Sequence, residues 1–194
     1  MIMTNREKTL IIITGISSSG KTTLAKQLNE KYGLQTYSLD DYKVQCYEKT
    51  GFYNEQERLI LRQQAIQNFK TDIIKHIRTG SSLVCEYPFT LEWQEFFDYI
   101  KEYYKYNIIV VNCNTKPFED IWNLRIRRDR ELIDRHPSLT ASAYIKYKTF
   151  VPAVTKFTAE YKQLKEQEYI TDKYCKLSGD FVISDKLFQT QYLS

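Results

Sequence analysis

The segment 15–22 restricts the fold of this chain more than any other feature of its sequence. It reads Gly-Ile-Ser-Ser-Ser-Gly-Lys-Thr, directly follows the apolar run 10–13, and opens a stretch with helical periodicity. Glycine tolerates the unusual backbone angles of a tight turn, so successive N–H groups can point at one anion. The positive end of the following helix adds to the field there. The segment therefore predicts a loop between a strand and a helix that holds the phosphates of ATP or a similar triphosphate.

Within this loop the residue types indicate individual roles. Lys21 is expected to bridge the outer phosphates, and the Thr22 hydroxyl is expected to ligate Mg²⁺. A glycine-rich turn without a ligand is the alternative, but a chance match would rarely fall between a strand and a helix. We expect the loop to contact the nucleotide through Gly15, Ser17, Ser18, Ser19, Gly20, Lys21, Thr22 and Thr23.

Apolar runs alternate with longer stretches of helical periodicity along the rest of the chain. They predict strands at 9–14, 35–39, 82–86, 107–112 and 180–184. They predict helices at 21–31, 55–79, 91–104, 117–135 and 141–167. Nearly continuous Ile and Val runs are typical of parallel strands that helices cover on both faces. The prediction is therefore a doubly wound α/β fold with a parallel five-stranded sheet, and the 194 residues fit a single domain, 1–194.

Composition and cysteine usage narrow the class of protein. Charged residues make up 27% of the chain and the formal net charge is +4, which indicates an ordinary globular protein and argues against disorder. No secretory signal or membrane span fits the N-terminal sequence. The four cysteines, Cys46, Cys85, Cys113 and Cys175, lack the pair spacing of a metal site, so we expect reduced thiols. These features together predict a cytoplasmic protein.

Two missing motifs exclude one large class of nucleotide-binding proteins. A GTPase would need a D-x-x-G switch and an [NT]-K-x-D base-reading motif, and neither occurs in the sequence. Motor and transporter ATPases usually carry further domains, for which 194 residues leave little room. A small phosphotransferase remains, and it requires a carboxylate near the acceptor hydroxyl.

Two strand ends supply carboxylates for such a reaction. Asp40 and Asp41 follow the second predicted strand and Glu86 ends the third, so all three fall on the sheet edge that carries the phosphate loop. One aspartate can accept the proton of the attacking hydroxyl, and the other can hold a magnesium-bound water or a substrate hydroxyl. Glu86 can polarise magnesium-bound water. The alternatives are that the aspartates cap a helix and that Glu86 only keeps a strand end soluble.

The fourth predicted helix carries a run of arginines, Arg125, Arg127, Arg128 and Arg130. Residues three or four apart share a helix face, so pairs of guanidinium groups can act together on a phosphoryl group. We expect this segment, about 125–140, to form a helical lid that closes over both substrates. A solvated helix face is the alternative. RNA binding is disfavoured because basic and aromatic residues are not interleaved in an RNA-binding pattern.

These segments together resemble the uridine kinase and nicotinamide riboside kinase group of small P-loop kinases, and the likeness covers most of the chain. Residues 13–26 look like the first strand, phosphate loop and helix of that group. Residues 38–43, Ser-Leu-Asp-Asp-Tyr-Lys, look like its Asp-x-aromatic segment, which implies that Asp40 is the catalytic base. Arg127-Arg128-Asp129 resembles the start of the group's lid, which implies catalytic roles for Arg127 and Arg128 in addition to that of Lys21.

The chain departs from this group around the acceptor. Glu86 is followed by Tyr-Pro-Phe where the group usually has glycine, and the lid lacks its usual glycine. The segment after Asp41 matches poorly, and in it Phe52 and Tyr53 either stack on a base or pack in the core. The candidate acceptor-binding residues are Asp41, Tyr42, Phe52 and Tyr53.

The sequence thus predicts an ATP- and Mg²⁺-dependent kinase that phosphorylates a hydroxyl of a small molecule, with a nucleoside or ribosyl compound as the first expectation. Kinases of adenylyl sulfate, pantothenate or small sugars share parts of the pattern. The alternative is a regulatory nucleotide-binding protein that keeps the P-loop without turnover, which the altered acceptor segment and missing lid glycine motivate. We expect a small-molecule partner, and neither a membrane nor a nucleic acid.

Overall fold

A computed structural model describes residues 8–125, 157–177 and 182–193 of the chain. Its strands are β1 (Thr9–Thr14), β2 (Gln35–Ser38), β3 (Leu83–Glu86), β4 (Asn107–Asn112) and β5 (Val182–Ser184). Its helices are α1 (Lys21–Tyr32), α2 (Leu39–Thr50), α3 (Glu55–Arg78), α4 (Gln94–Tyr104), α5 (described over 118–125), α6 (Phe157–Leu177) and α7 (Asp185–Phe188). A 3₁₀ helix at Leu91–Trp93 precedes α4, and a π-helical turn at Gln189–Leu193 follows α7.

Within these residues the strands form one five-stranded parallel sheet in the order β2-β3-β1-β4-β5. β1 lies at the centre, and all six of its residues are buried. A central strand that is covered on both faces has no side in contact with water, which explains its unbroken apolar, β-branched run. The carboxyl end of β1 consequently lies between the ends of β3 and β4.

Helices cover both faces of the sheet. On one face, Leu10 and Ile12 of β1 pack with buried residues of α3 and α4. On the other face, Ile11 and Ile13 pack with buried residues of α1 and α7. Burial of each such side chain contributes about 1.5–3 kcal/mol relative to exposure. The predicted doubly wound α/β fold is confirmed.

Several helix boundaries differ from the prediction. The sequence pattern does not indicate α2, because only its residues Leu39 and Tyr47 are buried and so few apolar positions repeat along it. The predicted helix 91–104 begins as a 3₁₀ turn, and α6 continues to Leu177, well past its predicted end at residue 167. The predicted helical positions 126–135 and 141–156 lie outside the described residues.

The cysteines Cys46, Cys85, Cys113 and Cys175 all lie in described parts of the chain, and none of them forms a disulfide. Burial raises the pKa of the Cys85 thiol, and chiefly burial raises that of Cys175 to about 12. Both thiols are therefore protonated at neutral pH. Within the described residues, no helix combines the length and apolar character needed to cross a membrane.

Candidate active site

The loop between β1 and α1 is curled by three positive backbone angles. Gly15, Ser18 and Gly20 have φ values of 137°, 69° and 106°. Gly20 is also the N-cap residue of α1. Because the first turn of a helix leaves N–H groups without intrahelical partners, the curled loop ends on a helix terminus that suits an anion.

Gly15→Ala is expected to destabilise the protein and to weaken nucleotide binding. A Cβ atom at residue 15 would lie 2.8 Å from Ser19 Oγ and 2.9 Å from Asn114 Oδ1. This overlap costs about 1–3 kcal/mol in addition to the backbone strain. Urea denaturation and titration with a fluorescent ATP analogue measure the two effects.

Gly33→Ala is the matched control, because Gly33 also has a positive φ, +66°, but a Cβ atom there would meet nothing within 4 Å. Its free energy of unfolding should fall only by the cost of placing alanine in a left-handed conformation, about 1–2 kcal/mol, and its nucleotide affinity should not change. Equal losses in the two variants would contradict a special role for the close packing at Gly15.

Lys21 lies at the start of α1, and its side chain is held against the loop. Lys21 is 8% exposed, and its Nζ donates a hydrogen bond to the carbonyl oxygen of Ile16 at 2.7 Å. A cleft of about 390 Å³ opens beside it, lined by Ser18, Gly20, Lys21, Thr22, Thr23, Lys26, Lys116 and Leu124. The three lysines give this cleft a positive charge that suits a polyphosphate.

Five of the residues predicted to contact the nucleotide line the cleft, namely Ser18, Gly20, Lys21, Thr22 and Thr23. Gly15, Ser17 and Ser19 are not among its lining residues. Ser19 is 1% exposed, and its N–H donates to the carbonyl of Ile16 at 3.3 Å, so it closes the turn of the loop.

Glu86 ends β3 at the point where three strands meet. In the parallel registers it lies opposite Ile13 of β1 and Ser38 of β2. Glu86 is 5% exposed, and the Thr22 hydroxyl is 3.1 Å from its Oε1 and 3.0 Å from its Oε2. Burial raises the pKa of Glu86, although hydrogen bonds from Ser38 and Thr22 and the charge of Lys21 act in the opposite direction.

Thr22 and Glu86 fit a magnesium ion that is bound together with a nucleotide. Mg²⁺ prefers hard oxygen ligands and is usually held by one or two carboxylates plus substrate phosphates. Among the described residues there is no group of three or more His, Cys, Asp and Glu side chains that could hold a metal. A metal at this site would therefore depend on phosphate oxygens as well as on Thr22 and Glu86.

Glu86→Gln is expected to stabilise the ligand-free protein at neutral pH while weakening its Mg²⁺-dependent nucleotide binding. Since the pKa of Glu86 is raised above its ordinary 4.5, the folded state binds more protons than the unfolded state, and stability is lost as the pH rises through this range. Glutamine avoids this loss. The gain in melting temperature over wild type should therefore be absent below the ordinary pKa and should grow as the pH rises above it.

Melting curves across this pH range, and nucleotide titrations with and without Mg²⁺, measure both effects. Glu95→Gln on α4 is the control, since Glu95 is exposed. A stability difference between Glu86→Gln and wild type that does not change with pH would contradict the assigned cause.

Asp40 and Asp41 lie in the first turn of α2. Carboxylates are favoured there by the positive end of the helix dipole, so a helix-stabilising role and a role in a site are compatible. Asp40 follows Ser38, which lies opposite Glu86 in the register of β2 and β3, and the charge of Asp40 contributes to the raised pKa of Glu86. The Asp40 side chain is 50% exposed and accepts a hydrogen bond from Lys43 at 3.0 Å, whereas Asp41 is exposed.

The candidate acceptor residues lie in different environments. Phe52 is 1% exposed and packs edge-on against Tyr47 with ring centroids 5.4 Å apart, which favours core packing over base stacking, the two alternatives that the sequence left open. Tyr42 packs against Phe69, and its hydroxyl donates to Asp72 at 3.2 Å. Tyr53 is 47% exposed. Of the two aromatic side chains predicted to stack on a base, only that of Tyr53 has substantial exposed surface.

The predicted lid is only partly described. Arg127, Arg128 and Arg130 lie outside the described residues. The preceding helix α5 reaches the phosphate loop, because its Leu124 lines the cleft. The described part of α5 therefore ends beside the cleft.

Polar residues of the segment that follows β4, and of α6, form hydrogen bonds with the phosphate loop, which the sequence pattern does not reveal. The N–H of Ile16 donates to Asn114 Oδ1 at 2.8 Å, and the N–H of Ser17 donates to Gln167 Oε1 at 3.1 Å. Asn114 is itself fixed by hydrogen bonds to Thr171 at 2.8 Å and Asp172 at 3.0 Å. The phosphate loop is therefore supported by two distant segments as well as by its own turn.

Comparisons with known proteins establish a likeness of fold. No protein-family model and no curated protein sequence matches the chain. A candidate kinase from Chloroflexus aurantiacus is similar with a TM-score of 0.60 and 17% identity, over 83% of this chain and 96% of that one. A structure from the PezAT chromosomal toxin-antitoxin system of Streptococcus pneumoniae gives a TM-score of 0.54 and 14% identity, over 90% and 88% of the two chains.

Shikimate kinase from Acinetobacter baumannii, solved with shikimate, gives a TM-score of 0.53 and 16% identity, over 96% of this chain and 94% of that one. At such low identities the likeness concerns the fold alone. The chain has the five-stranded parallel fold of P-loop kinases.

Proposed function

We propose that this protein is an ATP- and Mg²⁺-dependent kinase that transfers the γ-phosphoryl group to a hydroxyl of a small molecule. The observation that carries the proposal is the convergence of Lys21, Thr22, Glu86 and Asp40 at the carboxyl edge of the sheet. Thr22 bonds to Glu86, and both Lys21 and Asp40 act electrostatically on Glu86. Groups suited to a triphosphate thus adjoin a half-exposed carboxylate on the neighbouring strand end, as phosphoryl transfer requires.

Each residue has a defined part in the proposed reaction. Asp40 orients the acceptor hydroxyl and takes its proton, the hydroxyl oxygen forms a bond to the γ-phosphorus, and the bond from phosphorus to the β–γ bridging oxygen breaks to release ADP. Lys21 and the loop N–H groups stabilise the charge on the phosphates. Mg²⁺, held by Thr22 and Glu86, would neutralise phosphate charge. Arg127 and Arg128 would add positive charge from the lid.

The acceptor proposed first is a nucleoside or another ribosyl compound, on the strength of the resemblance of segment 38–43 to the uridine kinase group. The burial of Phe52 removes one predicted base-stacking surface. Cyclic hydroxy acids form the second class to test, because a shikimate kinase shares the fold. A cytoplasmic location also stays a prediction.

The deciding experiment is a panel of nucleosides, ribosides and cyclic hydroxy acids incubated with ATP and Mg²⁺. ADP release and phosphorylated product are measured together, so that simple ATP hydrolysis is separated from transfer. Product from at least one acceptor, dependent on Mg²⁺, is the expected result. Tight ATP binding without product from any acceptor would overturn the kinase proposal in favour of the regulatory nucleotide-binding protein.

A further inference from the structure

Lys43 lies beside the predicted base, and the reaction described above gives it no part. It belongs to α2, one turn after Asp40, and its Nζ donates to Asp40 Oδ1 at 3.0 Å and to the Tyr87 hydroxyl at 2.8 Å. The Lys43 side chain is 12% exposed, whereas that of Asp40 is 50% exposed. The ammonium is thus enclosed, while the carboxylate that it binds stays accessible.

We propose that Lys43 is a positioning residue for Asp40, which holds the carboxylate at a fixed place relative to the phosphate loop through the hydroxyl of Tyr87. This inference rests on the proposed kinase function. It assigns the pair of Lys43 and Tyr87 a task that neither the loop nor the aspartate can perform alone, namely to tie the acceptor side of the site to the donor side.

The link from Tyr87 to the donor side is short and well packed. The N–H of Tyr87 donates to the carbonyl of Ile13 at 3.2 Å, two residues before the loop begins at Gly15. The Tyr87 ring makes edge contacts with Phe89 and Trp93, at centroid distances of 5.7 Å and 6.2 Å. The Tyr87 hydroxyl is therefore a fixed point with respect to β1.

Tyr87 contacts Lys43 in two ways. Besides the hydrogen bond to the hydroxyl, the Lys43 ammonium lies 4.1 Å from the centroid of the Tyr87 ring, within the range of a cation–π interaction. A lysine has a long flexible stem, and two contacts on one rigid residue remove much of that freedom. The ordering of Lys43 is then passed to Asp40 through a charge-assisted hydrogen bond.

Lys43 stays charged in this environment. Burial acts to lower its pKa, but the charge of Asp40 and the interaction with Tyr87 outweigh burial, so the pKa of Lys43 is raised above its usual value. Phosphoryl transfer depends mainly on positioning and charge stabilisation, so a firmly oriented carboxylate serves it better than a mobile one.

The test compares Lys43→Met, Lys43→Arg and Tyr87→Phe in the ATP and Mg²⁺ assay with the best acceptor. Lys43→Met should lower kcat about 10- to 100-fold, the range expected for loss of a charged hydrogen bond, with the KM for ATP nearly unchanged. Lys43→Arg should restore part of this loss. Tyr87→Phe keeps the ring contacts and should give a smaller loss. Thermal melting verifies that each variant is folded.

Lys75→Met is the matched control, because Lys75 and Asp72 form another lysine–aspartate pair three residues apart on a helix, 2.9 Å between Nζ and Oδ1. Its kcat should equal that of wild type.

In the Asp40→Asn background, Lys43→Met should cause no further loss of kcat, since Lys43 acts through Asp40. If the kcat losses of Lys43→Met and Asp40→Asn multiplied in the double variant, or if Lys43→Met kept the wild-type kcat, the role of Lys43 would be overturned and the proposed kinase function would not. A wild-type protein without product from any acceptor would overturn the proposed function and this role with it.

Discussion

Lys21→Met is expected to remove ATP-dependent phosphoryl transfer almost completely, with kcat/KM lowered about 10²- to 10³-fold. The Lys21 ammonium is nearly buried against the phosphate loop, and it lines the cleft in which the phosphates are predicted to bind. Methionine keeps the length of the side chain and removes its charge. The loss should therefore reflect missing charge stabilisation and not a collapsed loop.

The folded state should tolerate this change. A buried ammonium loses hydration when the protein folds, and its hydrogen bond to Ile16 and its attraction to Glu86 act against that cost, so the melting temperature of Lys21→Met should change little. Lys31→Met, at the exposed end of the same helix, is the control and should keep full activity. Retained transfer in Lys21→Met, with the fold intact, would show that the phosphates are bound elsewhere.

Asp40→Asn is expected to lower kcat about 10²- to 10⁴-fold, the usual contribution of a positioned general base, while the affinity for ATP stays close to that of wild type. Asparagine retains an oxygen that can accept the hydrogen bond from Lys43, so the geometry of α2 should be preserved. What it cannot do is take the proton of the acceptor hydroxyl. Steady-state kinetics and nucleotide titration separate the two effects.

Asp41→Asn is the most informative variant to compare with Asp40→Asn. Asp41 lies in the same helical turn but is exposed, whereas the Asp40 side chain is half-exposed and accepts a hydrogen bond from Lys43. Asp41→Asn should lower kcat only a few-fold. Asp98→Asn on α4 serves as a control for the loss of one negative charge. If Asp41→Asn were inactive and Asp40→Asn active, the base would have to be reassigned to Asp41.

Those features that depend on local pattern were predictable from the sequence. β1 and β4 have the predicted bounds, because each contains an unbroken run of apolar, mostly β-branched residues, at 10–13 and 108–111. The loop was marked by glycines at two of its three positions with positive φ, Gly15 and Gly20, whereas the positive φ of Ser18 had no sequence signal. The place of Glu86 beside the loop followed from strand ends that share one edge of a parallel sheet.

Features that depend on topology were not predictable. The bonds that tie Tyr87 to Lys43 and Asn114 to the loop join residues 44 and 98 positions apart, and they exist only because β3 and β4 flank β1. The burial of Phe52 could not be predicted for a different reason. An aromatic residue in a polar segment looks the same in sequence whether it stacks on a ligand or on a neighbour such as Tyr47, and only the packing of α2 decides.

The hydrogen bonds behind the phosphate loop have a consequence for the order in which the molecule forms. Ile16 and Ser17 bond to residues 98 and 150 positions further along the chain. Contacts across such separations close large loops and form slowly, so the nucleotide pocket should be among the last regions to become protected from hydrogen exchange during refolding. During synthesis the glycine loop leaves the ribosome long before α6, and it would acquire its final shape only when Gln167 arrives. The chain is then expected to become able to bind its nucleotide late, after most of its sheet has already folded.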